Sequence, residues 1–210
     1  MERFLVIQTI VRLFESLNSP PARTANGLWA ELFLITSCSA PSDLAEAWHA
    51  VPQETFDFAQ GQQRLEVKST GSERGTHVFS LRQLNPPTGV EAVVCSIEVI
   101  DSVGGATVED LIEDLRPQLS PPLQQKLWEI AVSTLGTDWI SSASLRFGVE
   151  HAGDTLRLYD THDIPSINPD DCPPGVSDVH FTSDLTPVAP LSPEDLQTRG
   201  GLIAAAAPLS

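Results

Sequence analysis

The chain of 210 residues carries 28 acidic and 12 basic side chains, and its formal net charge is −16. This charge argues against a general nucleic-acid binder, because contacts to phosphate require Lys and Arg. The apolar runs fall far short of the ~18–20 residues that span a membrane, and Glu2, Arg3 and Arg12 interrupt the region that a signal peptide keeps apolar. We therefore expect a cytoplasmic protein without a membrane segment, long enough for one domain with a substantial core.

Cysteine and histidine spacings give no sign of a metal site. The three cysteines form no C-x-x-C pair, and the five histidines show neither H-x-x-x-H nor H-E-x-x-H spacing. We therefore predict that the cysteines are small residues in or near the core, and we assign no histidine a ligand role.

The N-terminal part of the chain is predicted to be helical. Apolar residues near helical spacing, followed by the breaker Asn18-Ser19-Pro20-Pro21, predict an N-terminal helix and linker over residues 1–23. A second helix, from Thr24 to Cys38, begins at an N-cap residue and is apolar nearly all round, as a buried helix is. A short helix over Ser42–His49 follows.

Glu31 is the only charged residue of the second helix. A lone carboxylate is costly to bury unless it is paired, hydrogen-bonded or bound to a metal. Glu31 therefore either contributes to a buried site, or reaches the surface, or meets an arginine such as Arg23 or Arg64.

Residues 56–68 have the pattern of a β-hairpin, because apolar and polar residues alternate on both sides of Gly61. A type II′ turn takes Gly at its first central position. We therefore place Gly61 and Gln62 at the tip, which sets Gln60 opposite Gln63.

The same register sets Asp57 opposite Glu66 and puts Lys68 on the same face. Like charges that lie opposite each other across two strands are destabilising. The pair therefore calls for a positive charge, and either a divalent metal or Lys68 would supply it. An ordinary solvated sheet face remains the alternative, since alternating charges are common there.

The middle of the chain predicts strands and helices in turn. Ser80-Leu81-Arg82-Gln83 has capping-box spacing for a short helix, and the continuous apolar run Val90–Ile100 predicts a strand buried on both faces. The other elements predicted here are a strand over His77–Ser80 and amphipathic helices over Thr107–Leu119 and Leu123–Leu135.

The C-terminal part returns to strands and then loses its apolar pattern. The predicted strands are Leu145–Glu150, Thr155–Tyr159 and Val179–Thr182. Residues 187–210 hold too few large apolar residues to fold alone, which predicts a disordered tail.

Basic residues concentrate beside the hairpin. Residues 60–85 have a net charge of +2, whereas the rest of the chain has −18. The basic residues of this stretch are Arg64, Lys68, Arg74 and Arg82.

An Asp followed nine residues later by Glu-x-Lys, on adjacent predicted strands after a helix with a lone Glu, resembles the PD-(D/E)xK nuclease superfamily. More closely, the chain is similar to the prokaryotic PD-(D/E)xK motif proteins, which are associated with restriction and phage-defence gene neighbourhoods. The resemblance covers roughly residues 24–185. It is carried by Gly27-Leu28-Trp29-Ala30-Glu31-Leu32, Ala47-Trp48, Asp57-Phe58, Glu66-Val67-Lys68, Gln83-Leu84, Tyr159, Ile164-Pro165 and Pro174-Gly175-Val176.

The resemblance implies an α/β (α+β) fold with a restriction-endonuclease-like core, a mixed central sheet flanked by helices, over residues 24–186. It also implies a site for Mg²⁺, which Mn²⁺ can replace, built from oxygen donors that suit a hard cation. The residues implied to hold the ion are Asp57, Glu66, Val67 through its carbonyl, and Glu31. Lys68 would orient or deprotonate the attacking water, and Gln83 is a weaker candidate for a polar contact.

The function implied is a Mg²⁺-dependent DNA nuclease, an endonuclease rather than an exonuclease, of a restriction-modification or phage-defence system. Its expected substrate contacts are Arg64, Arg74, Arg82 and Gln83. Because few cations surround the site, we expect a partner protein or a second copy of the chain to supply targeting. The alternative is a non-catalytic, partner-binding subunit of a defence complex, which the acidic surface favours and the intact Asp-Glu-Lys set disfavours.

Overall fold

The structure of the chain, a computed structural model, describes residues 24–49, 55–71 and 75–209. The helix predicted within residues 1–23, and the side chains of Arg23 and Arg74, lie outside these residues. The helices described are α1 (Ala25–Ser37), α2 (Pro41–Ala47), α3 (Val108–Leu115), α4 (Pro121–Leu135), α5 (Trp139–Ser142), α6 (Val149–Thr155), α7 (Pro193–Arg199) and α8 (Gly201–Ala205). The strands are β1 (Phe58–Gln60), β2 (Gln63–Thr70), β3 (Thr76–Ser80), β4 (Glu91–Glu98), β5 (Asp101–Ala106), β6 (Arg157–Asp160) and β7 (His180–Asp184).

The central sheet is mixed and has the strand order β1-β2-β4-β6. Strand β2 is antiparallel to β1 and parallel to β4, while β4 is antiparallel to β6. Strands β3 and β7 form a separate antiparallel pair. Helices α1 and α8 lie against β2, and α6 lies against β4. This architecture confirms the expected mixed sheet flanked by helices.

The β1–β2 hairpin has the predicted register. Gln60 pairs with Gln63, and Phe58 pairs with Leu65. Gly61 has a φ of +53°, a left-handed conformation that glycine adopts without a Cβ clash. Phe58 and Leu65 are fully buried, so one face of the hairpin belongs to the core as predicted.

Helix α1 is buried because its side chains are apolar over nearly the whole circumference. Thr24 begins the helix as its N-cap, since its hydroxyl accepts a hydrogen bond from the Gly27 N–H at 3.2 Å. Every residue from Leu28 to Ile35 is buried. The helix packs on β2 and α3, and it carries Glu31 into the interior.

The two faces of the central sheet hold different cores. The larger cluster lies on the face that α1 and α8 cover. A smaller cluster, made of Phe79, Leu84, Val94, Ile164 and Leu185, includes β3 and the residue after β7. Because Val94 pairs with Glu66 in the β2–β4 ladder, Glu66 lies on the side of this smaller cluster.

Two predicted elements of the chain are wrong. Residues 81–83 form a turn after β3 instead of a helix that begins at Ser80, although the side-chain amide oxygen of Gln83 still accepts the Ser80 N–H at 2.9 Å, as in a capping box. Residues Leu145–Glu150 form no continuous strand, because α6 begins at Val149 and only Phe147 makes isolated bridges, to Asp101 and Ala106.

The Phe147 bridge depends on a glycine in the facing strand. A Cβ on Gly105 would lie 2.1 Å from the carbonyl oxygen of Phe147, so no other residue fits without a shift of the backbone. This close approach joins residues about 40 positions apart in sequence. The alternation of apolar and polar residues within 145–150 therefore could not predict it.

The prediction of a disordered tail is also wrong, since the C-terminal residues include α7 and α8. Leu202 and Ile203 are fully buried in the larger cluster, and three alanines after them are buried too. Their segment adds backbone hydrogen bonds to the end of α1, from Ser39 N–H to Ala207 at 2.9 Å and from Leu209 N–H to Ser37 at 2.9 Å. Small apolar side chains suffice here because the rest of the core supplies the packing partners.

None of the described helices has the length and apolar character that a membrane crossing needs.

We predict that Leu202→Ala lowers the free energy of unfolding by about 2–5 kcal/mol, the usual cost of emptying a fully buried leucine site. Urea denaturation measures this. Leu209→Ala is the matched control, because the Leu209 side chain is 65 % exposed and its backbone bond is kept. Equal, small effects of both variants would contradict the docking of the C-terminal helices.

Candidate active site

Asp57 lies just before β1 and binds the edge of β2 through its side chain. The β1–β2 ladder ends at Phe58, so Asp57 does not continue the strand pairing that the hairpin register predicts. Instead, Asp57 Oδ2 accepts the backbone N–H of Val67 at 2.8 Å. The Asp57 carbonyl accepts the N–H of His49 at 2.9 Å, and Asp57 is buried.

This contact brings two of the predicted metal ligands to one strand edge. In a strand, the N–H and C=O of one residue face the same neighbour. The Val67 carbonyl therefore lies on the edge of β2 that the Asp57 carboxylate binds. Both groups offer oxygen.

Glu66 is buried, and one of its oxygens accepts two donors. Oε1 accepts the Gln83 amide at 2.5 Å and the Lys68 ammonium at 2.9 Å. Lys68 also donates to Gln83 Oε1 at 3.2 Å, and its Nζ lies 5.2 Å from the centre of the Phe79 ring. The structure thus brings the predicted Glu66, Lys68 and Gln83 together.

The Gln83 amide joins three separate segments. Its oxygen accepts from the Ser80 N–H and from Lys68, while its nitrogen donates to Glu66 and to the Thr55 carbonyl at 3.2 Å. The Gln83 side chain therefore connects the turn after β3 to β2 by hydrogen bonds. Gln83 was predicted as a weaker polar contact, and the signal that pointed to it was the Gln83-Leu84 pair, which carries part of the family resemblance.

Glu31 is buried within α1, so it does not reach the surface. Its Oε2 accepts the indole N–H of Trp48 at 2.7 Å. Trp48 forms a backbone bridge with Phe58, the residue after Asp57, and the two rings stack with centroids 6.4 Å apart. Glu31 is therefore linked to the start of β1 through one tryptophan.

The buried charge of Asp57 also affects its neighbour on β4. Burial raises the pKa of the Cys95 thiol, and the Asp57 carboxylate raises it further. Cys95 is fully buried and stays a neutral thiol, in agreement with its predicted role as a small core residue.

His77 is a buried residue of this region that sequence analysis missed. Its Nε2 lies 2.7 Å from the Ser96 hydroxyl, and its ring meets Phe79 edge-on at 6.2 Å. Burial first, and the positive charge of Lys68 second, lower its pKa from 6.5 to about 4. The alternation His77-Val78-Phe79 in a predicted strand was the available signal, because it puts His77 on the same face as Phe79.

Lys68 opens onto a cleft of about 860 Å³, which we call the Lys68 cleft. The ammonium side chain is 19 % exposed, so solvent reaches it from this side. The described residues that line the cleft are Thr55, Lys68, Val78, Ser80, Leu81, Arg82, Gln83, Cys172, Val176, Ser177, Asp178, Val179 and His180.

The predicted substrate-contacting residues lie in different places. Arg82 is exposed and lines the Lys68 cleft together with Gln83. Arg64 is held at the hairpin tip by the carbonyls of Gly61 and Gln63, at 2.8 and 2.7 Å. Its Cα lies four residue steps along β2 from that of Lys68, a distance of about 13 Å at ~3.3 Å per residue. Arg74 lies outside the described residues.

The donor set fits a hard divalent cation better than a softer one. In the described ranges, no group of three or more His, Cys, Asp or Glu side chains could hold a metal ion. Mg²⁺ does not require such a group, because it keeps several waters and commonly binds one or two carboxylates. Asp57, Glu66 and the Val67 carbonyl offer oxygen alone, which agrees with this chemistry.

Comparison with protein families gives one match. The family described as "Putative PD-(D/E)XK family member, (DUF4420)" matches residues 5–186. Comparisons with curated proteins and with solved structures give no match.

We predict that His77 makes stability depend on pH. The unfolded histidine titrates near 6.5 and the folded one at about 4, so its contribution is present above pH 6.5 and is lost as pH falls towards 4. The loss amounts to about 3 kcal/mol.

Urea denaturation of wild type and His77→Gln at several pH values tests this prediction. The difference between the two free energies of unfolding should fall by about 3 kcal/mol from neutral pH to pH ~4, while contributions from other groups cancel. A difference that does not change with pH would show that His77 is not kept neutral by the fold.

Proposed function

Because the chain belongs to this PD-(D/E)XK family, we propose that it is a Mg²⁺-dependent DNA nuclease that hydrolyses phosphodiester bonds. The observation that supports this most directly is the contact of Glu66 and Lys68 on β2 with Gln83 from the turn after β3, beside the strand edge that Asp57 binds. Lys68 and the Gln83 amide both donate to the same oxygen of Glu66, and Lys68 lies at the wall of an open cleft. A lysine held in this way is suited to act on an anionic substrate.

Asp57, Glu66 and the Val67 carbonyl would hold the ion, and Glu31, which Trp48 links to the start of β1, would complete the site. When bound, the ion would supply positive charge to the scissile phosphate and acidify a water molecule. The remaining chemistry belongs to side chains of the chain itself.

Lys68 would bind the attacking water by a hydrogen bond and place a positive charge next to the phosphate as negative charge develops there. The water loses a proton to solvent and its oxygen forms a new bond to phosphorus, while the bridging P–O bond breaks and the departing oxygen takes up a proton from solvent. Lys68 would contact both the attacking water and the phosphate, because it lines the wall of the cleft.

The neighbours of Lys68 fix its position. A free lysine side chain has about 2 kcal/mol of rotamer entropy to lose when it is ordered. Glu66, Gln83 and the Phe79 ring all contact the ammonium in the structure, so most of this ordering is complete before substrate arrives.

We place the enzyme in a restriction-modification or phage-defence system and favour endonuclease over exonuclease action, because the sequence resembles the defence-associated PD-(D/E)xK motif proteins. Targeting would come from a partner protein or from a second copy of the chain. The net charge of −16 supports this, since a duplex would be repelled by most of the surface.

Cleavage of plasmid and linear DNA with Mg²⁺ or Mn²⁺ tests the proposal. We expect Lys68→Met and Glu66→Gln each to lower the rate at least about 100-fold, the smaller end of the loss when one positioned electrostatic contact is removed from an active site. Glu150→Gln is the matched control because Glu150 is exposed on α6. Folded wild-type protein that cleaves no DNA, duplex or single-stranded, with either ion would favour the non-catalytic, partner-binding subunit.

A second prediction concerns the ion. Mg²⁺ at about 100 times its Kd should stabilise the protein by about 2.7 kcal/mol, or roughly 5 °C or more in Tm, because it binds the folded state and relieves carboxylate repulsion. Asp57→Asn should abolish this gain in a thermal melt, whereas Asp114→Asn, on the exposed side of α3, should keep it. An equal gain in wild type and Asp57→Asn would indicate non-specific binding to the acidic surface.

A further inference from the structure

The Lys68 cleft contains apolar side chains that the proposed hydrolysis does not use. Val78 is 57 % exposed and Val176 is 52 % exposed, and both line the cleft. Val78 stands on the outer face of β3, on the same side as Ser80, while its neighbours His77 and Phe79 point inward and are buried. Exposed valines that line the same cleft as Lys68 suggest a ligand with an apolar part.

The ring of His180 adds an aromatic surface to the same cleft. His180 pairs with Ser80 across the β3–β7 ladder, so it shares the outer face with Val78. Its side chain is half exposed. The Leu81 N–H donates to the Val179 carbonyl at 2.9 Å, which fastens the loop that carries Val176 to the turn that carries Arg82.

The charges of the cleft can neutralise few phosphates. Among the described residues that line it, the lysine and arginine side chains are those of Lys68 and Arg82, and Asp178 is the acidic one. Proteins that bind duplex DNA through its backbone commonly contact about 6–10 phosphates. Two cations match a short segment of one strand instead.

Apolar surface next to two cations discriminates between paired and unpaired DNA. In a duplex the base faces are stacked on each other, so Val78 and Val176 would find no apolar partner. An unpaired strand exposes its base faces, which apolar and aromatic side chains then cover. The volume of about 860 Å³ lies within the range of sites that enclose a small ligand.

We infer that the Lys68 cleft binds an unpaired DNA strand, with Lys68 and Arg82 on its phosphates and Val78, Val176 and the His180 ring against its bases. This inference rests on the proposed function and specifies its substrate as single-stranded DNA, or a duplex with an unpaired segment, in preference to continuous duplex.

The test is a fluorescence-anisotropy titration without divalent metal, using a labelled DNA strand of about 10 nucleotides and its duplex. The wild type should bind the single strand at least about tenfold more tightly than the duplex. Val78→Asn/Val176→Asn should lose about tenfold in affinity for the single strand, because the apolar contacts to the bases are replaced by polar groups.

Val103→Asn is the matched control, since Val103 is fully exposed on β5 and does not line the cleft. It should bind as wild type does. Thermal melts of all variants establish that they are folded, and Val176→Asn alone, in a surface loop, provides a second variant if the change in β3 lowers stability. Equal affinity of wild type for strand and duplex, or equal loss in the control, would overturn the inference.

Cleavage assays on the same DNAs separate this inference from the proposed function. Faster cleavage of the unpaired strand supports both, whereas equal cleavage of the duplex supports the nuclease and overturns the inference. Tight single-strand binding without cleavage in Mg²⁺ or Mn²⁺ supports the cleft assignment and overturns the nuclease. If the wild type neither binds nor cleaves these DNAs, both the inference and the proposed function are overturned.

Discussion

The buried carboxylate of Glu66 is the constraint on which the site depends. An ionised carboxylate inside a protein is costly unless donors satisfy it, and here Lys68 and the Gln83 amide share one of its oxygens. Gln83 can do so because its own oxygen accepts from Ser80 and its nitrogen also reaches Thr55. One carboxylate thus positions the lysine, the turn after β3 and the segment before β1.

The two-sided central sheet explains why this arrangement is both rigid and accessible. The larger core covers one face of β2, and α1 carries Glu31 to the Trp48 indole from that side. The smaller cluster covers only part of the other face and leaves Lys68 at a cleft. Packing on one face therefore holds the strand, while the incomplete second face leaves Lys68 open to the proposed ligand.

Charge and shape restrict what that ligand can be. The chain is strongly acidic, and the cations that line the described cleft are few, so long-range attraction contributes little to binding DNA. Contacts to exposed base faces by Val78 and Val176 would compensate for this weak electrostatic attraction, but only with an unpaired strand. A small cleft with mixed apolar and cationic lining agrees with the proposal that a partner supplies targeting.

Local sequence determined the elements whose causes are local. The hairpin register follows from Gly61 and the alternation around it, α1 follows from Thr24 and an apolar circumference, and the Asp57, Glu66 and Lys68 pattern identified the family. Tertiary structure alone decided the rest. Asp57 binds the Val67 N–H because the ladder ends early, and Gln83 reaches Glu66 across 17 residues. The C-terminal helices dock through Leu202, Ile203 and alanines, and His77 stays neutral beside Lys68. Each of these outcomes depends on groups distant in sequence, whose proximity no local periodicity records.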